Sequence, residues 1–496
     1  MTNKRTPLRF AAKVIAAGAF GAGLQLTASV SHSITLEELA AKVERLEAEN
    51  RTLKEQVGKL AAGQPGAKAA NVESTGAGAP AAAPPGEVSG RTGGRAANGI
   101  VLNSEFSFRI LDPTTNINRK QLLLLDGRRA GMLAENSLTI GGAVTAVVDA
   151  QSANVNGQFG YLMRQPGNQI GRNASEAAIH SAQLGFTGIL GPWVTTYGEI
   201  LYDPEQSFGA GNNTALARNQ LQLRQGYVLL GNLDRSPFYA SLGKMATPFG
   251  LTDTVNPFSA STVWHAFGGL ANGVQVGYSS GGLNVSVMAV QGGSQFRGAN
   301  TPVDGTNVPS KLNNAAANAS YTWKFDGNGS LLAGASYQRG TIYCQRFPAA
   351  HFGVCQQVNP AADLYGELKT DRWTVRAEYA RTLEAWAGTF NPALSQFAAS
   401  KVTSWSLGTR YRASFGNQDV FLSAEYSRFV TGPKGSPWER QDQFVLGVAS
   451  FLTPSVKLFG EFVNVNGFVP FQLVGSLGAN RGAHSNVILT GVNAAF

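Results

Sequence analysis

The chain has 496 residues, 43% of them hydrophobic, 14% charged and 59 of them glycine, with a formal charge of +9. No run of about 18 apolar residues appears beyond the first thirty, which excludes an ordinary helical membrane protein. Lys4, Arg5, Arg9 and Lys13 supply four of the 40 bases, so the rest of the chain sets 36 bases against 31 acids, no argument for nucleic acid as a partner.

Residues 1–31 read as a secretory leader. Lys4, Arg5 and Arg9 form its basic end, Val14 to Leu26 its apolar stretch, and Ser29-Val30-Ser31 a small-x-small cleavage site. Residues 32–60 contain four heptads of a coiled coil from residue 36 onward. Leu36, Val43, Asn50 and Val57 take the a positions, and Leu39, Leu46, Leu53 and Leu60 the d positions. The flanking pairs Lys42–Glu47 and Glu49–Lys54 have opposite signs and favour a parallel homo-oligomer. Val at a with Leu at d tends to dimers, whereas a barrel of the kind described below favours a trimer; the trimer is the expectation. Residues 61–98 are rich in Ala, Gly and Pro and cannot pack a core, so they read as a linker.

Residues 99–136 are ambiguous. Two apolar stretches, Val101–Leu111 and Gln121–Leu125, fit an extra hairpin, a periplasmic segment or an inserted one. From Ser137 to Phe496 short turns and long polar stretches alternate. The turns fall at 190–192, 233–237, 280–282, 326–329, 369–371, 415–419 and 453–455. The long stretches are 152–176, 203–218, 246–271, 292–311, 344–360, 384–401, 431–441 and 467–483. That alternation predicts an all-β transmembrane barrel of sixteen antiparallel strands, eighteen if the ambiguous segment adds a hairpin. Sixteen strands enclose an aqueous channel.

Several strands pair an apolar parity with a polar one. Trp373, Val375, Ala377 and Tyr379 face lipid, which turns Arg372, Thr374, Arg376 and Glu378 inward. Trp405, Leu407 and Tyr411 likewise set Arg410 and Arg412 inward. Glu199, Arg224, Glu367 and Lys369 follow the same pattern, with Glu425 and Glu461 as inward acids. A charge on the lipid face costs roughly 2–4 kcal/mol at mid-membrane, so these parities are well determined. Inward arginines favour anions. Cys344 and Cys355 fall in one long loop and can pair in an oxidising compartment. The five histidines form no zinc, nucleophile or other catalytic pattern, so neither an enzyme nor a cofactor is expected.

The last strand runs from His484 to Phe496. Its even positions, Ile488, Thr490, Val492 and Ala494, share a face with Phe496, though the contrast with the other parity is imperfect. An aromatic end of this kind resembles bacterial outer-membrane barrels. The segment Gly243-Lys244-Met245-Ala246-Thr247-Pro248-Phe249-Gly250 resembles the strand-then-PFG element of the phosphate-selective porin O/P superfamily. The continuation through Asn256-Pro257-Phe258 and Gly273 to Tyr278 is similar to the LbtU-type siderophore porins, and the layout of leader, coiled coil, linker and barrel is shared with them and with DcaP-like porins. The resemblance implies passive, energy-independent passage of small polar or anionic solutes through the outer membrane, with the N-terminal region in the periplasm. A TonB-independent siderophore channel is one alternative. An envelope tether, whose coiled coil contacts the cell wall, is the other. Lys244 matches a basic position of the motif, but strict parity groups it with Phe238, Ala240 and Leu242, so a bulge or a loop edge is needed to turn it inward. In general porins, which the loop order resembles, the third loop folds into the pore. That makes Asp253 and His265 constriction candidates facing Arg372, Arg376, Arg410 and Arg412, with Phe249, Phe258, Trp264 and Phe267 as anchors.

Overall fold

The computed structural model describes residues 99–160, 171–203, 220–292, 311–325, 329–344, 358–416, 418–469 and 473–496. The leader, the coiled-coil positions Leu36 to Leu60, the linker and Cys355 lie outside the described residues.

A short strand, β1 (Gly99–Leu102), leads into helices α1 (Ser104–Leu111) and α2 (Lys120–Arg129). Sixteen long strands follow: β2 (Ser137–Ala153), β3 (Asn173–Leu190), β4 (Val194–Tyr202), β5 (Leu221–Gly231), β6 (Phe238–Ala246), β7 (Leu270–Ser280), β8 (Leu283–Val290) and β9 (Asn314–Lys324) make up one half. The other half is β10 (Ser330–Gln338), β11 (Ala361–Lys369), β12 (Trp373–Thr382), β13 (Thr403–Phe415), β14 (Gln418–Val430), β15 (Arg440–Thr453), β16 (Val456–Gly467) and β17 (His484–Ala495). Each pairs antiparallel with its neighbour in sequence. β17 pairs with β2, from Ser485 opposite Ala153 to Ala495 opposite Ala143, so the sheet closes into a sixteen-stranded barrel. Closure leaves no open edge in the ring.

The ambiguous stretch adds no hairpin to the wall. Only Gly99–Leu102 joins the sheet, parallel to Ser137–Ile140 of β2. It continues the line of β17, and Phe496, just beyond that strand, exchanges both backbone hydrogen bonds with Gly142, at 2.9 and 3.0 Å. Beyond Leu102 both apolar stretches are helical for local reasons. Asn103 caps α1 by accepting from the Phe106 N–H at 3.0 Å, and Glu105 pairs with Arg109 one turn on. Asp112-Pro113 ends it. α2 is a leucine run closed by Arg128 and Arg129.

Alternation along the strands separates two faces. Val148, Ile179, Leu242, Val276, Leu364, Leu407 and Ile488 are exposed on the outside. Trp193, Phe238, Trp323, Trp373 and Phe415 are exposed near the end where the short turns lie. A continuous apolar exterior of this extent, rimmed by aromatics, suits lipid rather than water. The opposite parity is buried, as in Thr374, Arg376, Glu378 and Ala380 of β12.

That buried face is not uniformly polar. In β17 Val487 and Leu489 point inward, which accounts for the poor contrast of its sequence. They belong to an apolar cluster with Phe421, Val445, Phe459 and Val463, covered by Phe258. A second cluster sets Phe106, Leu111, Leu124 and Leu125 of the helices against Tyr197, Tyr227, Leu229, Met245 and Met288 of the inner wall. Polypeptide thus packs against the wall on two sides of the lumen.

Candidate functional site

Two segments meet inside the barrel. The first is a helical hairpin, residues 103–136. α1 rises from the rim, with Leu111 beneath Gly185 of β3, where a larger side chain would collide with it. The chain turns at 112–118 and α2 descends. At the rim the Arg128 guanidinium donates to the carbonyls of Gly191 (3.1 Å), Pro192 (2.6 Å) and Gly231 (3.3 Å). Burial of Phe106, Leu124 and Leu125 stabilises the insert by roughly 1.5–3 kcal/mol each.

The second is the loop between β6 and β7, residues 247–269, which includes helix α3 (Thr262–Phe267). It runs along the inner wall, held by a glutamate from every second strand. Glu378 of β12 accepts from the N–H groups of Leu251 (2.9 Å) and Thr252 (2.9 Å). Glu425 of β14 accepts from the Thr254 hydroxyl (2.9 Å) and the Asn256 amide (3.1 Å). Glu461 of β16 accepts from the N–H groups of Phe258 (2.7 Å) and Ser259 (3.0 Å). Alternate strands stand about 10 Å apart, and three to four extended residues advance about 10–13 Å, so the loop's stride matches the spacing of its anchors. Further on, Gln443 donates to the Ala260 carbonyl at 2.8 Å and Tyr343 to that of Ala266 at 2.6 Å. Phe249 and Phe267 join Tyr343, Trp386, Phe429 and Trp438 in an apolar cluster, and Phe258 stacks on Phe459 at 5.2 Å.

The segments join through Asp253. It lies 2.8 Å from Arg119 of the hairpin and 3.8 Å from Arg376 of the wall, and it accepts from the Ile117 N–H at 3.0 Å. Asn118 donates to the Phe249 carbonyl at 2.7 Å, and the Thr254 N–H to that of Thr114 at 3.0 Å. Burial works against the Arg119 guanidinium, but Asp253 and Glu367 outweigh it and hold its pKa above the ordinary value. Lys120 meets Glu199 at 2.6 Å, and Arg224 approaches the same carboxylate at 3.6 Å. Burial pulls the Lys120 ammonium below its ordinary range, opposed by Glu199.

The sequence-predicted residues divide as follows. Glu199, Arg224, Glu367, Lys369, Arg376, Glu378 and Arg410 lie on the lumenal parity. Arg376 bonds Glu367 and the Thr254 carbonyl, and Lys369 meets Glu367 at 2.9 Å. Arg412 is also inward but sits at the short-turn rim, 2.8 Å from Asp371 and away from the Asp253 cluster. Arg372 must be corrected: β12 begins one residue later, the side chain is exposed in the turn, and it meets the Tyr411 hydroxyl at 3.4 Å. Tyr411 has the outward parity. Lys244 does not turn inward either. It shares the parity of exposed Phe238 and Leu242 and donates to the Leu223 carbonyl at 2.8 Å. His265 lies in α3, edge-on to Trp264 at 4.9 Å. Cys344 is disulfide-bonded. Among the described residues no group of three or more His, Cys, Asp or Glu is placed to hold a metal ion.

Sequence reasoning missed Arg119, Lys120 and Arg128, the polar residues that fix the hairpin. The leucine run between Lys120 and Arg128 carried that signal. It also read Glu425 and Glu461 as counter-charges, whereas their partners are mainly backbone and side-chain groups of the loop.

No family model matches the chain. A curated relative, the UPF0422 protein of Coxiella burnetii, is 26% identical over 124 residues, 23% of this chain and 24% of its own length. The match thus spans about a quarter of that protein. Similar solved structures include an anion-selective porin from Comamonas acidovorans, 14% identical, covering 73% of this chain and 99% of its own, with a TM-score of 0.45. OprB of Pseudomonas putida is 12% identical, covering 72% and 94%, at 0.46. OmpT of Vibrio cholerae in its trimer form is 11% identical, covering 72% and 99%, at 0.42. The barrel assignment stands on the strand pairing of this chain itself.

Proposed function

We propose that the protein is an outer-membrane channel for passive, energy-independent passage of small polar or anionic solutes. The observation that carries this reading is the inner loop. Glu378, Glu425 and Glu461 hold residues 251–259 against the wall, a placement that narrows a lumen while leaving the barrel intact. The apolar exterior supports a membrane setting, and the short turns beside β1 support a periplasmic N-terminal region in this reading. The coiled coil of residues 32–60 would make the assembly a homo-oligomer, a trimer in this reading.

The hairpin favours a second reading. A lumen occupied from the rim by residues 103–136 suits a channel for one defined ligand, such as the TonB-independent siderophore channels that the sequence resembles. Single-channel conductance of the mature protein in a planar bilayer, with the reversal potential under a salt gradient, tests both. Stepwise currents with a reversal potential on the anion side support the first. Small-ion current blocked by a ferric siderophore supports the second. Absence of current at any voltage rejects general diffusion.

A further inference from the structure

The outward face of the barrel is not apolar all the way to its rim. On β12–β15, at the end away from the short turns, three rows of outward residues cross the strands. The first row holds Leu407 on β13 and Phe444 on β15, both exposed, joined in register through Tyr426 of β14. The second sets Trp405 opposite Arg428 and Arg428 opposite Asp442. The third runs from Arg381 on β12, through Thr403 and Val430, to Arg440 on β15. Successive rows lie two residues apart, about 7 Å along the strands. The wall thus passes from apolar through aromatic to cationic in two steps. A charge turned toward lipid is costly at mid-membrane and cheap at the interface, where Trp and Tyr also collect. In a bilayer these rows sit where acyl chains give way to headgroups.

The arginines of these rows are held in place. Arg428 lies 2.6 Å from Asp442, donates to the Tyr426 hydroxyl at 2.7 Å and sits over the Trp405 ring, 6.0 Å from its centroid. Arg440 meets the same carboxylate at 3.0 Å, so Asp442 is covered while the Arg440 side chain stays 47% exposed. Arg440 also lies 3.9 Å from Glu439, which Arg481 approaches at 4.0 Å. Arg381 is exposed on the outward parity of β12. Four guanidiniums therefore stand against two carboxylates, and the face keeps an excess of positive charge. On the adjoining strands β16, β17 and β2 the same rows hold Asn466, His484, Asn486 and Ser152, none of them a fixed charge. Arginines that only marked the interface would continue there. A guanidinium grips a phosphate through two parallel hydrogen bonds. Arg381 and Arg440 stand three strand spacings apart, roughly 14 Å, with Arg428 between them one row lower. That spacing suits two phosphates on one headgroup rather than a single small anion.

We propose that the outward face of β12–β15 at the long-loop rim binds a membrane lipid whose headgroup carries two phosphates, with its acyl chains on Leu407, Phe444 and Leu446. The site lies outside the lumen and goes beyond the channel reading; it rests only on the membrane setting of the barrel. Native mass spectrometry of the detergent-solubilised full chain tests it. The probes are diphosphoryl lipid A, monophosphoryl lipid A, phosphatidylcholine and inorganic phosphate. The diphosphoryl lipid is expected to be retained best and phosphatidylcholine least, and excess inorganic phosphate is expected not to displace the bound lipid. Arg381→Gln combined with Arg440→Gln should weaken retention of the diphosphoryl lipid about tenfold and remove its preference over the monophosphoryl form. Arg428→Gln should weaken both forms. Arg372→Gln removes the same charge at the opposite rim and should change nothing. Heat-modifiable migration on a gel confirms that each variant is folded. Undiminished retention in the folded double variant, equal weakening by Arg372→Gln, equal retention of phosphatidylcholine, or displacement by inorganic phosphate would each overturn the site. Conductance recorded on the same preparations separates the two ideas. Arginine-dependent lipid retention without current keeps the site and rejects the channel, and current without selective retention does the reverse.

Discussion

Single side chains decide whether the lumen stays filled. Glu199 is buried against Lys120, which is itself nearly covered, so Glu199→Ala strands an ammonium inside the barrel. Breaking one partner of a buried pair costs about 3–5 kcal/mol. The expected outcome is a hairpin that exchanges amide hydrogens at 119–129 far faster than wild type, read by mass spectrometry, while the strands keep their protection. Glu461→Ala acts on the other segment. It leaves the Phe258 and Ser259 N–H groups without their acceptor, and hydrogen bonds to a charged group contribute roughly 1.5–3 kcal/mol. Larger fluctuations of open-channel current are expected, without loss of the barrel's heat-modifiable migration. Unchanged current noise would mean that this anchor does not govern the constriction. The candidate residues were legible in the sequence wherever the strand parity was clean: Arg376, Glu378 and Arg410 project inward because Val375, Ala377 and Leu407 cannot. Arg372 was not, because parity lapses where the ladder ends. No residue pattern announced that Glu378, Glu425 and Glu461 hold backbone groups, since their partners lie more than a hundred positions away.

The helical hairpin is the element whose loss should matter most. Leu124 and Leu125 dock it on the wall, and replacing a buried leucine by alanine costs about 2–5 kcal/mol. Leu124→Ala with Leu125→Ala should therefore raise single-channel conductance severalfold in planar bilayers, with strand content by circular dichroism preserved. Equal conductance in the double variant would show that solutes do not pass on the hairpin's side. The barrel itself was readable because its period is two and its turns fall in phase from Ser137 onward. The hairpin was not. Its apolar stretches are short enough to be strand or helix, and only the Asn103 cap and the close approach of α1 to Gly141 and Gly185 decide for helix. β17 misled for the complementary reason: its inner face is apolar because Phe258 and its neighbours cover that side of the lumen.

At the scale of the molecule, wall and contents are separate problems of stability. The wall is a closed ring of backbone ladders with an apolar exterior, and its contents are held by side-chain docking. Deleting residues 32–98 should leave conductance unchanged if the chain is a channel and abolish function with the barrel intact if it is a tether; bilayer recording of the truncated protein distinguishes them. The hairpin follows β1 at the short-turn rim and returns to that rim at Ser137, so it enters and leaves by one mouth. No strand pair has to open, and no chain end has to be threaded, for it to slide out. Its residence is a matter of affinity rather than topology, so anything that outbids a few buried leucines and ion pairs, a pull from the preceding chain included, could empty the barrel and let it refill.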